Sequence, residues 1–298
     1  MKPAEQGLML LGSHLGSPER KPLTRIQLWQ LGRRVREADW DNWDRDLTAG
    51  DLRALGYGAD MADRILRLLD DQALLEYYVN QGRRIGCIPM TRLHAHYPHI
   101  LRQRLGEDAP LCLWTRGDLS VLEKPGVALV GSRALLPKNQ AFARGAGVQA
   151  ARQGYALISG NARGADQAAQ NASLQAGGWV VSIVADELTR WRGAERLLYM
   201  SEDGYAEPFT NQRALSRNRI IHAMGDMTLV AQCREEAGGT WSGTMQNLRQ
   251  GWSPVACFDD GSRGAAKLEM AGAVAVGIKA LEDFSKISAQ QQRLWDEV

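Results

Sequence analysis

The feature that most restricts what this chain can fold into is an alternation that begins after Lys124-Pro125-Gly126. Short apolar runs at residues 127–130, 155–159, 179–184, 227–232 and 255–258 predict strands. Stretches of helical length at 139–153, 165–176, 214–224 and 242–250 separate most of them. Strands alternating with helices imply a mainly parallel sheet with right-handed crossovers. The strands read as continuous apolar runs, as expected when helices cover both sheet faces. Two further strands are predicted upstream, at 85–88 and 111–114. The fold class is therefore α/β, with an extended Rossmann-like sheet.

The first part of the chain reads differently. Residues 1–23 read as a loose lead-in with one short helix. From Leu23 to about Gly82 the pattern is helical, with Ile26, Leu28, Leu31 and Val35 at helical spacing. Thr48 suits the cap of a short helix, and Gly56-Tyr57-Gly58 breaks the pattern before it resumes. The expected organisation is a helical domain over 1–82, a Rossmann-like domain over 83–285 and a helical tail over 286–298. At 298 residues and 44% hydrophobic, the chain can form a sizeable core. No run approaches the roughly 20 apolar residues of a membrane helix, and no signal peptide is read at the start, so the expected location is the cytoplasm. Cys87, Cys112, Cys233 and Cys257 form no C-x-x-C pair and read as reduced, buried thiols.

Ligands of open parallel sheets bind beyond the carboxyl ends of the strands, and four unusual segments fall there. The first is Gly131-Ser132-Arg133, where glycine permits close backbone approach and arginine offers a planar fork for phosphate. The second, Ser159-Gly160-Asn161-Ala162-Arg163-Gly164-Ala165-Asp166, opens a helix whose free N–H groups attract anions. Arg163 is read there as a ligand contact and Asp166 as a structural cap. The third is Ser216-Arg217-Asn218-Arg219, in which one arginine is expected to grip ligand while the other braces the fold. The fourth, Gly238-Gly239-Thr240-Trp241-Ser242-Gly243-Thr244, reads as a phosphate cradle in which Trp241 could stack on a base.

Overall charge is only +2, but the segment from Gly131 to Asp166 carries five basic residues against Asp166 alone. His94, His96 and His99 read as surface histidines rather than metal ligands. No G-x-x-x-x-G-K-[ST] or G-x-G-x-x-G signature is present, so neither P-loop hydrolysis nor ordinary NAD binding is indicated. No metal and no cofactor is expected.

At these residues the chain resembles the DNA-processing protein A family (DprA/Smf). The resemblance runs from about Gly82 to Phe258. Its pieces are Tyr97-Pro98, Val130-Gly131-Ser132-Arg133, Ser159-Gly160-x-Ala162-Arg163-Gly164-x-Asp166, Gly177-Gly178, Ser201-Glu202, Arg217-Asn218-Arg219-Ile220-Ile221 and the Gly-rich loop before Thr244. The helical N-terminal region resembles that family's sterile-alpha-motif-like domain. The resemblance implies a non-enzymatic, dimerising protein that binds single-stranded DNA, protects it during transformation and loads the recombinase RecA. It implies a pocket of Gly131, Ser132, Arg133, Ser159, Gly160, Arg163, Arg217, Asn218, Arg219 and Thr240, to which the loop readings add Gly164 and Gly239.

The sequence also departs from the family pattern. Gln170 replaces a histidine and Gln232 a glutamate, while Ala185-Asp186-Glu187-Leu188 replaces a Gly-rich turn and Gly238-Gly239-Thr240 a Ser-Gly-Ser loop. The chain also ends before the C-terminal winged helix that many members carry. These departures open a second setting, phage defence or pairing with a toxin as its antitoxin. The alternative function is a nucleotide sensor, or a nucleotide hydrolase resembling the lysine-decarboxylase-like (LOG) family. In that family P-G-G-x-G-T-x-x-E ends in a carboxylate, whereas here Gly243-Thr244 is followed by Met245, Gln246 and Asn247.

Overall fold

The computed structural model describes residues 1–38 and 46–296. Five helices open the chain: α1 (Pro3–Gly12), α2 (Arg25–Glu37), α3 (Ala49–Ala54), α4 (Ala59–Asp70) and α5 (Gln72–Arg84). Thr24 and Thr48 cap α2 and α3, their hydroxyls accepting from the N–H groups of Gln27 and Asp51. Leu23, Leu31, Leu52, Ile65 and Leu68 form a small core within this part.

The lead-in is not loose. Leu15 and Leu23 are buried, and so is Arg20. Arg20 donates to the carbonyls of Ser13, Leu10 and Leu68 and pairs with Asp71 at 2.8 Å. A buried guanidinium with all these acceptors ties the segment to α1 and α4, a long-range pairing that local composition does not reveal.

The remaining elements are β1 (Ile88–Thr91), α6 (His99–Leu105), β2 (Cys112–Gly117), β3 (Gly126–Val130), α7 (Pro137–Arg152), β4 (Ala156–Ser159), α8 (Ala165–Gln175), β5 (Trp179–Ile183), β6 (Leu197–Glu202), α9 (Asn211–Met224), β7 (Met227–Val230), α10 (Gly238–Gln250), β8 (Val255–Phe258), α11 (Arg263–Met270), β9 (Val274–Val276) and α12 (Phe284–Asp296). The strands form one sheet in the order β1-β2-β6-β5-β4-β3-β7-β8-β9. β1–β2 and β2–β6 are antiparallel and every other pair is parallel. The fold is the expected α/β, Rossmann-like one.

Alternation along β3 divides the core. Val127 and Leu129 face a layer containing Phe142, Ala146, Ala169 and Phe284, from α7, α8 and α12. Ala128 and Val130 face the opposite layer, with Leu101, Ile220, Ile221 and Trp252. Ile287 is buried against the first layer, so the start of the expected tail packs onto the sheet. At the other expected boundary, α1 and α5 share a third core with β2 through Leu10, Tyr78, Val79, Cys112 and Trp114. All four cysteines are free and buried. No helix among the described residues is long and apolar enough to cross a membrane.

The strand order reverses at β3. After β3 the chain steps outward through β4, β5 and β6, then returns by α9 to place β7 on the other side of β3. Loops leaving β3 and β7 diverge there, opening a crevice at the carboxyl end of the sheet.

Candidate anion and nucleic-acid site

Three segments meet at this crevice because backbone groups lock them together. Gly164 has φ +92°, and a Cβ there would lie 2.4 Å from the Ser132 carbonyl oxygen. The Ala165 N–H donates to that same oxygen at 3.2 Å. The loop after β3 is thus seated on the start of α8. Ser132 itself turns that loop, its hydroxyl accepting from the Ala134 N–H. Gln232 pins it from the β7 side, accepting from the Leu136 N–H at 3.0 Å and donating to the Ala134 carbonyl.

The loop after β4 is built around Asp166. Its carboxylate accepts from the N–H groups of Gly160 at 3.1 Å and Ala162 at 3.2 Å. Asn161 between them has φ +57°, a left-handed conformation that asparagine tolerates better than most residues. Burial pushes the Asp166 carboxyl up to about 6, with Arg217 opposing that rise. The structural reading of Asp166 therefore holds, although it braces the preceding loop rather than capping its own helix.

Arg217 lies against the same loop. A Cβ at Gly160 would fall 1.6 Å from its guanidinium, so only glycine leaves room for it. One Nη donates to the Ile183 carbonyl at 2.7 Å, while Nε is buried with no hydrogen-bond partner. Burial lowers the arginine's pKa, and Asp166 is the main group opposing this. A buried cation with an orphaned N–H suits an anion. Arg133 and Arg163 stand exposed at the rim.

Two adjoining cavities share Arg133, Ala162 and Arg217. One, of about 540 Å³, runs past Gly131, Ser132, Asn218, Gly239 and Thr240. The other, of about 390 Å³, is bounded by Gly160, Arg163, Trp191 and Phe209. Two helix N-termini border the crevice without side-chain caps: that of α10 after Ala237, and that of α8 after Gly164, where the Ala165 and Gln167 N–H groups already donate to the Ser132 and Ala162 carbonyls. Their first-turn N–H groups carry the positive end of the helix dipole. Gly239 and Thr240 prove to be the first turn of α10 rather than a loop before it. The Thr240 hydroxyl donates to the Gly131 carbonyl at 3.0 Å, and the Asn218 amide to the Gly239 carbonyl at 3.2 Å.

Three expected residues lie elsewhere. Arg219 forms a bidentate pair with buried Glu202, at 2.5 and 2.8 Å, and also donates to Asp108 and Ser216. It braces α9 against β6, because two residues along a helix turn the side chain to a different face. Ser159 is fully buried beneath the crevice and accepts from Gln170 at 2.6 Å. Trp241 packs against the core.

The aromatic groups at the site are instead Trp191 and Phe209, which no loop motif singled out. Trp191 is stacked on Tyr199 (centroids 5.5 Å apart) and its Nε1–H donates to Asp186 at 3.0 Å. Phe209 is 50% exposed. Tyr97 is buried, and its hydroxyl donates to the Pro110 carbonyl. No cluster of three or more His, Cys, Asp or Glu able to hold a metal occurs among the described residues.

An α/β sheet with arginines gathered at its switch point defines a Rossmann-like protein. Comparison with known proteins narrows this. The family model for DNA recombination-mediator protein A matches residues 89–287, and the chain belongs to that family. It is 31% identical over 192 residues to DNA processing protein DprA of Streptococcus pneumoniae, an alignment covering 59% of this chain and 68% of that protein. Identity to the DprA of Bacillus subtilis is 27% over 218 residues, covering 68% and 71%. The fold matches the X-ray structure of the S. pneumoniae protein with TM-score 0.66 at 23% identity, over 91% of this chain and 98% of that one. It also matches the Helicobacter pylori DNA processing protein A, described for its single-stranded DNA binding mode, with TM-score 0.56 at 20% identity, over 71% and 96%.

Proposed function

We propose that this chain binds single-stranded DNA at the β3 switch point and acts on it in uptake or recombination without turning it over chemically. The observation that carries this is the convergence of Arg133, Arg163 and the incompletely paired Arg217 on one crevice, beside two uncapped helix N-termini. Phosphates would take the arginines and helix ends, and a base would take the Trp191–Phe209 side. Gly131, Ser132, Gly160, Gly164, Asn218, Gly239 and Thr240 shape the backbone around them, while Ser159 and Arg219 support it from below and behind. A recombinase such as RecA is the partner that the family's mediator role suggests. Phage defence with a toxin partner rests only on the departures in sequence.

Binding is favoured over hydrolysis because the carboxylates lining these cavities are already engaged. Asp166 holds two backbone N–H groups and Asp186 holds Trp191. The test is fluorescence anisotropy of labelled single-stranded DNA with the wild type and Arg163→Glu. Losing one charge-assisted phosphate contact, at about 1.5–3 kcal/mol, corresponds to a drop in affinity of roughly 10- to 100-fold. Unchanged binding by the variant would remove Arg163 from the site and undercut the proposal.

A further inference from the structure

A third opening adjoins the crevice and has no part in the reading above. It is a groove of about 530 Å³ on the outer face of α7 and α8, and it begins at Arg133 and Arg163. Leu135, Ala168 and Ala172 line it between its polar side chains, and behind it the two helices meet through small residues. Ala143, Ala146, Gly147 and Ala150 of α7 are buried, as are Ala165, Ala169, Ala172 and Ser173 of α8. The two helices approach so closely that a Cβ at Gly147 would lie 2.1 Å from the Ala169 carbonyl oxygen.

Long polar side chains rise from either side of this small-residue seam. Gln140 and Arg144 stand one turn apart on α7, and Gln167, Asn171 and Gln175 lie at successive turns of α8. Arg144 and Asn171 are exposed. No Asp or Glu lines the groove among the described residues, so Arg133, Arg144 and Arg163 leave it electropositive. Along α8 the amide row spans about 12 Å. Amides carry both donors and acceptors and can meet phosphate oxygens or base edges without sequence preference.

We propose that this groove is a second subsite for the same strand, receiving a DNA segment that leaves the switch-point crevice past Arg133 and Arg163 and runs toward Arg144. The proposal rests on the single-strand reading of the crevice. It assigns Arg144 to a phosphate outside that crevice.

The experiment compares oligothymidylates of about 5 and about 25 nucleotides, because single-strand sites commonly span about 4–16 nucleotides per binding fold. Affinities are measured by competition against a labelled strand for wild type, Arg144→Ala, Arg144→Glu and Arg163→Glu. Arg144→Glu should weaken the long oligomer about tenfold and leave the short one unchanged. Arg144→Ala should reduce the salt slope for the long oligomer by about 0.7, the value for one phosphate of a single strand. Arg144 is exposed, so both variants should retain the wild-type melting temperature. Loss of long and short binding in equal measure would place Arg144 in the primary site and overturn the proposal. So would no change with Arg144→Glu while Arg163→Glu abolishes both, an outcome that leaves the crevice reading standing. If Arg163→Glu alone leaves both oligomers bound, it is the crevice reading that fails.

Discussion

Asp166 shows how one residue sets both the shape and the electrostatics of the site. Its carboxylate organises Gly160 and Ala162, yet burial raises its pKa from 3.8 to about 6. A carboxyl whose folded pKa is raised binds more protons in the native than in the unfolded state over that interval. Its contribution to stability is therefore most favourable below about pH 4 and declines as pH rises to about 6. Above that, the ionised form costs about 3 kcal/mol relative to the protonated one. Asp166→Asn removes this titration. Urea unfolding of both proteins from pH 4 to pH 7 should show the wild type losing about 2 kcal/mol relative to the variant. Parallel pH profiles would mean that Asp166 titrates normally in the fold.

At the scale of elements, the pair Glu202–Arg219 joins β6 to α9, and Arg25 of α2 reaches the same carboxylate at 3.2 Å. Breaking a buried pair on one side leaves the other charge uncompensated, at a cost of about 3–5 kcal/mol. Glu202→Gln should lower the melting temperature by about 5–10 °C. Affinity for single-stranded DNA in the cold should stay within about twofold, since Arg219 stands outside the crevice. A variant that kept its melting temperature and lost binding would return Arg219 to the ligand.

The same pair marks what the sequence could convey. The parallel strands and their crossover helices were legible because each apolar run is bounded by turns and followed by a helical segment. β6 escaped that pattern. It follows β5 through a connection whose only helix is a short 3₁₀ turn at Leu188–Arg190, so no crossover helix announces it. β9 is three residues long. β1 lies at Ile88–Thr91 rather than 85–88, because α5 runs on to Arg84 and the strand contains Pro89. Proline is tolerated there because β1 is the sheet's edge strand. At the site, loop position identified Arg133 and Arg163. The division of labour between Arg217 and Arg219 depends on Glu202, Ile183 and Gly160, which are distant in sequence. Trp191 and Phe209 come from connections with no motif of their own, and only the fold brings them to Arg217.

For the whole molecule, the decisive quantity is where charge sits rather than how much there is. A net charge of +2 gives little long-range attraction for a polyanion. On the proposed reading, affinity comes from the arginines gathered at the switch point and along α7 and α8. Arg133 is common to all three openings and so lies where their paths meet. With Arg133, Arg144, Arg163 and Arg217 each meeting one phosphate, counterion release predicts a slope of log affinity against log salt near −3. Duplex DNA keeps its base faces stacked and cannot offer one to Trp191 or Phe209. Stacking contributes about 1–3 kcal/mol per base, so single strands should bind roughly tenfold or more tightly than duplex of equal length. Titrations from low to moderate salt with matched single- and double-stranded oligomers measure both quantities. A slope near −3 with single-strand preference is the expected pair. A slope near zero would mean that phosphates are not what these arginines hold, and equal affinity for duplex would leave the aromatic side of the crevice without a base.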